Sequence, residues 1–344
     1  MRQAARVGRL GMLAVGMSIG AALATTPQVA SADSSTDPFS WLDQALSGLS
    51  VPAADAAAPL DIQISINGME LFSTVDNTAF ATSGFGNFAI AIGNGAHADA
   101  DGGLFNFAFA DGTDTSAATP VGADLDFAVA EGTGSSANIG LGADLDFALA
   151  SGIGSSANVG VGASLDDATA LGTGSNAIVG AGSSLSSAFA DGTSSTAVAG
   201  AGNGNLATAL GTGSTAITVL GNGDLATASS GGTATAGGFL GNALAEGAGS
   251  TAVATGVTNT AIALGGNAEA QASGIGDIAS IFNTGSALDQ ASAFLGDNDV
   301  ATVIGTGSTA TAGDGNWDLA AAFGDMLDAN ATGGNFLLDI MPSL

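Results

Sequence analysis

The chain has 344 residues, of which 46% are hydrophobic and 10% are charged, and it carries 31 Asp and Glu against only 3 Lys and Arg. Proteins that bind nucleic acid or anionic lipid neutralise phosphate groups with Lys and Arg, so this composition excludes nucleic acid as a partner and excludes basic attachment to a membrane. The sequence contains no cysteine, which excludes disulfide bonds as a source of stability.

The N-terminus has the three parts of a secretory signal peptide. Arg2, Arg6 and Arg9 form a basic region, an apolar stretch runs from Leu10 to Ala24, and Ala30-Ser31-Ala32 supplies small residues for cleavage. We therefore predict a signal peptide over residues 1–32 and a secreted or cell-envelope-associated protein. No later segment reaches the ~18 apolar residues of a membrane-spanning helix. Removal of the signal takes away every Arg, so the mature chain keeps its 31 carboxylates with no Lys or Arg.

A short helical cap or linker is predicted over residues 33–61. Asp37-Pro38 is typical of a helix N-cap followed by proline at the first helical position. Phe39, Leu42, Leu46 and Leu49 then follow at near-helical spacing. Such a segment is suited to covering the open end of a repeat domain.

Residues 62–313 form an array of repeats of 18–20 residues. Residues 131–137, 151–157 and 171–177 are near copies, and Gly-rich tetrapeptides separate short segments with alternating apolar residues. Strict alternation indicates half-buried strands, and the Gly-rich segments indicate turns. A unit of two strands cannot bury its apolar face alone, whereas stacked units can. We therefore predict an all-β fold, a parallel β-solenoid (β-helix or β-roll) of about twelve coils. Ile62, Ile64 and Ile66 are expected in its first strand.

Within one coil, the alternation predicts which side chains point inward. We expect the large residues inside and the Asp residues outside. The predicted inward columns are Leu125 with Leu145, Leu165 and Leu185; Phe127 with Phe147; Val129 with Leu149 and Phe189; and Ala137 with Ala157, Ala177 and Ala197. Asp167 and Ser187 then interrupt the phenylalanine column, as polar residues at inward positions.

Residues 314–344 are predicted to form a C-terminal cap. Asn316-Trp317-Asp318 opens a segment in which Leu319, Phe323, Met326 and Leu327 follow at helical spacing. We expect a short helix here that covers the last coil, as at the N-terminal end.

The cadence Ala-x-Ala-x-Gly, as in residues 89–93 and 207–211, resembles two groups of proteins. One is the head repeat of trimeric autotransporter adhesins, and the other is the group of Gly/Ala-rich secreted repeat proteins of mycobacteria and related actinobacteria. The unit is longer than an adhesin head repeat, so the second group is favoured. This resemblance implies a β-roll and a surface or adhesion role.

Four carboxylates are the candidate metal ligands. Asp124 and Asp126 lie two residues apart, and Asp144 and Asp146 repeat them one coil later. Coils stack at ~4.8 Å, so four carboxylates on one outer face would crowd together and repel unless a cation were present. Oxygen ligands suit Ca²⁺, which makes calcium the one candidate cofactor. The alternative is a set of solvated charges that keep the rod soluble.

Catalytic residues are not predicted. The only histidine is His97, in the alternating stretch His97-Ala98-Asp99-Ala100-Asp101, and we interpret it as part of a solvated face. We expect a non-enzymatic, secreted or cell-surface structural or adhesive protein that presents an acidic solenoid face to an unknown envelope, glycan or host-surface ligand. Two alternatives remain open: a secreted polysaccharide hydrolase on the same scaffold, or a calcium-dependent binding module.

Overall fold

A computed structural model describes residues 61–342 except Thr284 and Ser286. The predicted signal peptide and almost all of the predicted N-terminal cap lie outside these residues. The described residues form two sheets of 16 and 14 strands. Sheet A contains β1 (Ile62–Ile66), β2 (Met69–Ser73), β4 (Phe88–Ile92), β6 (Phe107–Asp111), β8 (Phe127–Glu131), β10 (Phe147–Ser151), β12 (Asp167–Leu171), β14 (Ser187–Asp191), β16 (Leu206–Leu210), β18 (Leu225–Ser229), β20 (Asn242–Glu246), β22 (Thr260–Leu264), β24 (Ile278–Asn283), β26 (Val300–Gly305), β28 (Leu319–Phe323) and β30 (Leu338–Pro342).

Sheet B is built from the strands that alternate with these along the chain. They are β3 (Phe80–Ser83), β5 (His97–Ala100), β7 (Ser116–Ala118), β9 (Ser136–Asn138), β11 (Ser156–Asn158), β13 (Asn176–Val179), β15 (Thr196–Ala199), β17 (Thr215–Asn222), β19 (Thr233–Phe239), β21 (Thr251–Val257), β23 (Ala268–Ile275), β25 (Asp289–Asp297), β27 (Thr309–Gly313) and β29 (Asp328–Thr332). From β3 onward the chain alternates between the sheets, and each strand pairs in parallel with the strand one coil later.

The predicted parallel β-solenoid is confirmed, with about fourteen coils rather than twelve. β1 is the predicted first strand, but it enters antiparallel to β2 on one side and to β4 on the other. Parallel pairing in register begins with β4 and β6 and continues to β28 and β30. Equivalent residues of successive coils therefore form straight columns along the rod.

The interior of the solenoid is lined mainly by alanine. In β8, Ala128 and Ala130 are fully buried, and in the facing sheet Ala137 is fully buried too. Their equivalents repeat this pattern in every later coil up to β28. The larger apolar side chains in the interior of the described coils are Ile139, Val159, Val179, Ile281 and Val303. The predicted inward column of Ala137 is confirmed.

For sheet A the predicted assignment of faces is wrong. Phe127 and Val129 alternate with the buried alanines, so they and their column partners point outward. Asp167 and Ser187 belong to the same outward column, and they no longer interrupt an apolar interior. The physical reason is space: four-residue turns such as 132–135 join the sheets, and the narrow interval between them fits a methyl group better than a phenyl ring.

The leucine column also lies outside. Leu125, Leu145, Leu165 and Leu185 are 46–66% exposed and occupy the corner that precedes each sheet A strand. Their φ angles are +57° to +63°, in the left-handed region that strains a residue with a Cβ atom. The chain reverses direction there, which turns the leucine away from the interior and aims the next residue into it.

The predicted C-terminal helix is wrong as well. Residues 319–342 continue the solenoid through β28, β29 and β30, each paired in parallel with the preceding coil. Within residues 61–342 the structure offers no helix of the length and apolarity needed to cross a membrane.

Candidate functional site

One corner of the solenoid carries a column of buried polar residues, placed directly before each sheet A strand. We call it the Asx column. Its members are Asn87, Asn106, Asp126, Asp146, Asp166, Ser186, Asn205 and Asp224, and, after an interruption at Gly241, Asn259, Asp277, Asp299 and Asp318. All of them are at most 2% exposed. The Asx column is the feature that sequence reasoning missed, although a polar residue recurs just before the strand in nearly every coil.

Each member of the Asx column accepts a hydrogen bond from a backbone N–H of the next coil along the chain. The backbone N–H of Asp277 donates to Oδ1 of Asn259 at 2.8 Å, and the N–H of Asp299 donates to Oδ1 of Asp277 at 3.0 Å. The N–H of Asp318 continues the series to Oδ1 of Asp299 at 2.9 Å. The column thus satisfies backbone donors at a corner where the regular sheet ladder ends.

The asparagine and aspartate members differ in their second side-chain atom. Nδ2 of Asn106 donates to the carbonyl oxygens of Gly102 and Ala123, and Nδ2 of Asn259 donates to those of Thr255 and Gly274. In most aspartates of the column the corresponding atom, Oδ2, is buried and has no hydrogen-bond partner; these are Asp126, Asp146, Asp224, Asp277, Asp299 and Asp318. A carboxylate oxygen cannot donate to the carbonyl groups around it.

Burial raises the pKa of five of these carboxyl groups, those of Asp126, Asp146, Asp224, Asp277 and Asp299. The pKa of Asp126 rises to about 7 and that of Asp277 to about 6, chiefly because desolvation penalises the charged form. Neighbouring carboxylates add to the rise, Asp146 beside Asp126 and Asp299 beside Asp277. Hydrogen bonds from the backbone partly oppose it. The described residues contain no Lys or Arg that could offset the charge. These five aspartates therefore hold protons more tightly than free aspartates do.

A second column, mostly of serine, lies at the opposite corner, before the sheet B strands. The hydroxyl groups of Ser135 and Ser155 donate to the carbonyl oxygens of Gly152 and Gly172 in the next coil. Ser250 donates to the carbonyl oxygen of Gly247 at 2.8 Å. Short hydroxyl side chains therefore close this corner, in the way that the Asx column closes the other.

The structure divides the four predicted calcium ligands into two pairs. Asp124 and Asp144 are exposed and adjacent in a parallel bridge, and Asp124 Oδ1 accepts the N–H of Leu104 at 2.6 Å. Asp126 and Asp146 are interior members of the Asx column. The expectation that all four share one outer face is thus wrong for the second pair. Among the described residues, no group of three or more His, Asp or Glu side chains has the arrangement of a metal site. Calcium binding itself stays a prediction.

His97 lies on the outward face of β5, stacked on the ring of Phe80 with 5.1 Å between ring centroids. Asp99 shares that face, where its Oδ1 accepts hydrogen bonds from the Thr82 hydroxyl and the Asp101 N–H, both at 3.1 Å. The imidazole therefore packs against a phenyl ring on an open surface.

The outward face of sheet A carries two central columns that we call the outer stripe. The first column is Phe88, Phe107, Phe127, Phe147, Asp167, Ser187, Leu206, Leu225, Asn242, Thr260, Ile278, Val300, Leu319 and Leu338. The second is Ile90, Phe109, Val129, Leu149, Thr169, Phe189, Thr208, Thr227, Leu244, Ile262, Ser280, Thr302, Ala321 and Ile340. Asp167 is its single charged member. The rings of Phe88 and Phe107 stack with centroids 5.5 Å apart.

The outward face of sheet B is more polar, and we call it the polar face. One of its two central columns runs through Ser116, Ser136, Ser156, Asn176, Thr196, Thr215, Thr233 and Thr251. The other contains Asn138 and Asn158 and also the apolar residues Val198 and Val253. The two faces of the rod therefore differ in chemistry along most of its length.

Two depressions lie on the surface of the described coils. A depression of about 450 Å³ is lined by Ser273, Gly274, Gly296, Asp297 and Asn316. Another, of about 310 Å³, lies near the entry hairpin and includes Glu70 and Asp101. Both are open to solvent; the first is lined by small or polar residues, and the second also by the larger side chains of Gln63, Glu70 and Phe80. No family model, curated protein or solved structure matches this chain.

Proposed function

We propose that this protein is a secreted or cell-surface structural or adhesive rod that acts by presenting repeated outward faces, without catalysis. The observation that carries the proposal is the register of the fourteen sheet B strands, which sets equivalent Ser, Thr and Asn side chains one above another at ~4.8 Å. A repeated, shallow, hydroxyl- and amide-bearing surface suits an extended ligand with its own repeat, such as a neutral glycan chain.

Charge narrows the class of partner. The carboxylates outside the Asx column lie mostly at turns and strand ends, as Asp76, Asp114, Asp191 and Asp325 do. An anionic polymer would be repelled by them, whereas a neutral glycan or a basic envelope protein would not. The polar face is therefore the surface on which we place the ligand.

The hydrolase alternative finds less support. Glycoside hydrolysis needs two carboxyl groups that flank a bound sugar. The depression near Asp297 has one carboxylate and two glycines among its lining residues. The depression near the entry hairpin does contain two carboxyl groups, those of Glu70 and Asp101, but Glu70 Oε2 already accepts a hydrogen bond from Nε2 of Gln63 at 2.9 Å. These contacts suit a binding surface better than a site that holds a substrate bond between an acid and a base.

The proposal is tested with producing cells and with purified protein. We expect the chain in the culture medium or the cell envelope, beginning at Asp33, and we expect it to bind immobilised neutral polysaccharide or envelope preparations without releasing reducing sugar. The variant Thr215→Asp with Thr233→Asp, on the polar face, should weaken binding at least tenfold, and the control Thr133→Asp with Thr173→Asp, in exposed turns outside both faces, should not. A cytosolic chain with an intact N-terminus, or sugar release, would contradict the proposal.

A further inference from the structure

The outer stripe carries very little charge for a surface of a strongly acidic molecule. Of its 28 positions only Asp167 is charged, although the chain carries 31 Asp and Glu. Six of its members are phenylalanines, and most of the others are Leu, Ile, Val, Thr or Ser. A stripe of this kind on an otherwise acidic rod indicates an interaction surface. We propose that it is the contact between two copies of this chain, packed face to face.

The size of the outer stripe fits a stable dimer. Fourteen strands at ~4.8 Å give a length of roughly 60 Å, and two columns of side chains are about 12 Å wide. Each copy would then contribute roughly 700 Å² and the pair roughly 1,400 Å², which is within the standard range for specific protein–protein interfaces. Two sheets can pack face to face at ~10 Å with their side chains interdigitated.

The charges beside the outer stripe select the orientation of the two copies. On one side runs a strand-end column of fourteen residues, which we call the acidic side: four of them are acidic, Asp111, Glu131, Asp191 and Glu246, and most of the others are apolar or serine. On the other side lies the exposed corner column of Leu125 and its equivalents. A two-fold axis parallel to the rods places the acidic side of each copy against the leucine side of the other. A two-fold axis across the rods would reverse the order of the coils and bring Asp191 of one copy opposite Glu246 of the other, which like-charge repulsion opposes. We infer that the rods run parallel.

This inference rests on the outer stripe and not on the proposed function, which uses the opposite face of the rod. Failure of either one therefore leaves the other standing. A monomer that binds glycan, or a dimer that does not, would separate the two.

Sedimentation equilibrium of the purified full chain tests the dimer. The variant Leu149→Asp with Ile262→Asp places charge in the outer stripe, and the control Val198→Asp with Val253→Asp makes matched changes on the polar face. We expect the unchanged chain and the control to dimerise, more tightly at higher salt because the chains carry like charge. The outer-stripe variant should raise the dimer Kd at least tenfold. A monomeric unchanged chain, a trimer, or equal weakening in both variants would overturn the proposal.

Cross-linking tests the orientation and does not depend on a destabilising substitution. The chain has no cysteine, so Thr302→Cys in the outer stripe and Thr311→Cys on the polar face each introduce a single thiol. A short bis-maleimide should join two chains through position 302 and not through position 311. An antiparallel pair would hold the two copies of residue 302 far apart and give no cross-link. Equal cross-linking at both positions would also overturn the proposal.

A different occupant of the outer stripe would give a different result. If residues 1–60 of the same chain covered it, the protein would be monomeric. The Leu149→Asp with Ile262→Asp variant would then unfold at a much lower temperature than its polar-face control. That result would overturn the proposal in favour of an intramolecular contact.

Discussion

Replacing Asp277 with asparagine should stabilise the protein at neutral pH. Asp277 is fully buried; its Oδ1 accepts the N–H of Asp299, and its Oδ2 has no partner. Oδ2 lies so close to the backbone of Gly274 that a Cβ atom there would overlap it. In the Asp277→Asn variant an amide NH₂ takes the place of Oδ2 and can donate to backbone carbonyl groups, as the amide of Asn259 does in the preceding coil. The substitution keeps the column and removes a buried charge.

The size of the expected stabilisation follows from the pKa of Asp277, which burial raises from 3.8 to about 6. Two pH units correspond to ~3 kcal/mol at most. Solvent lies close to every group in a thin rod, and its screening lowers the gain to about 1–2 kcal/mol. Because the folded chain holds this proton more tightly than the unfolded chain, its contribution to stability is complete below pH 3.8 and is lost as the pH rises to about 6. We expect the variant to melt about 2–6 °C higher near pH 7.5.

Thermal unfolding followed by circular dichroism measures this effect. Near pH 3.5 the carboxyl group of Asp277 is protonated when folded, so the variant and the unchanged chain should melt within ~1 °C of each other. The control Asp191→Asn alters an exposed carboxylate and should change little at either pH. Two results would refute the interpretation of Asp277 as a buried carboxylate without a partner and would point to a bound cation. The first is an Asp277→Asn variant that is less stable at neutral pH, and the second is the same difference in stability at both pH values.

Three further predictions concern packing, strain and metal. Ala209→Leu, on the inward face of sheet A, should lower the free energy of unfolding in urea by ~2–3 kcal/mol through overpacking. Thr208→Leu, at the neighbouring outward position, should change that free energy by less than ~0.5 kcal/mol. Leu145→Gly should stabilise by ~0.5–1 kcal/mol, because left-handed strain of ~1–2 kcal/mol outweighs the added flexibility of glycine; Leu149→Gly, in an extended strand, should destabilise. The predicted calcium site requires CaCl₂ to raise the melting temperature above NaCl at matched ionic strength, and equal temperatures would eliminate it.

The repeat and its strands were predictable because their signal is local. Gly-rich turns at a regular spacing and strict alternation between them indicate paired short strands, and only stacking buries such units. The strands at 127–131 and 136–138 follow this pattern directly. The inward direction was not predictable from side-chain size. The better signal is uniformity: Ala128 recurs in coil after coil, while Phe127 is replaced by Asp, Ser, Leu and Asn.

The C-terminal segment was predicted wrongly for a different reason, because its local sequence pattern favoured a helix and pairing with the preceding coil overrode it. Leu319, Phe323 and Leu327 have helical spacing, yet the segment pairs with the open edge of the preceding coil. That edge offers a complete row of unpaired backbone donors and acceptors, which outweighs a weak helical preference. The Asx column was missed for a related reason. An aspartate next to a turn is usually exposed. Asp126 is buried only because the next coil stacks on its corner.

The in-register alanine columns have a consequence for how the gene can change in length. Each coil presents to the next coil nearly the same inward residues that it receives from the one before. Deletion of residues 147–166 would place Ala168 and Ala170 on Ala128 and Ala130, which are the contacts that Ala148 and Ala150 make now. Oδ1 of Asp146 would accept the N–H of Ser186 in place of that of Asp166. Recombination between copies can therefore shorten or lengthen the rod by whole coils and keep every column beyond the junction in register.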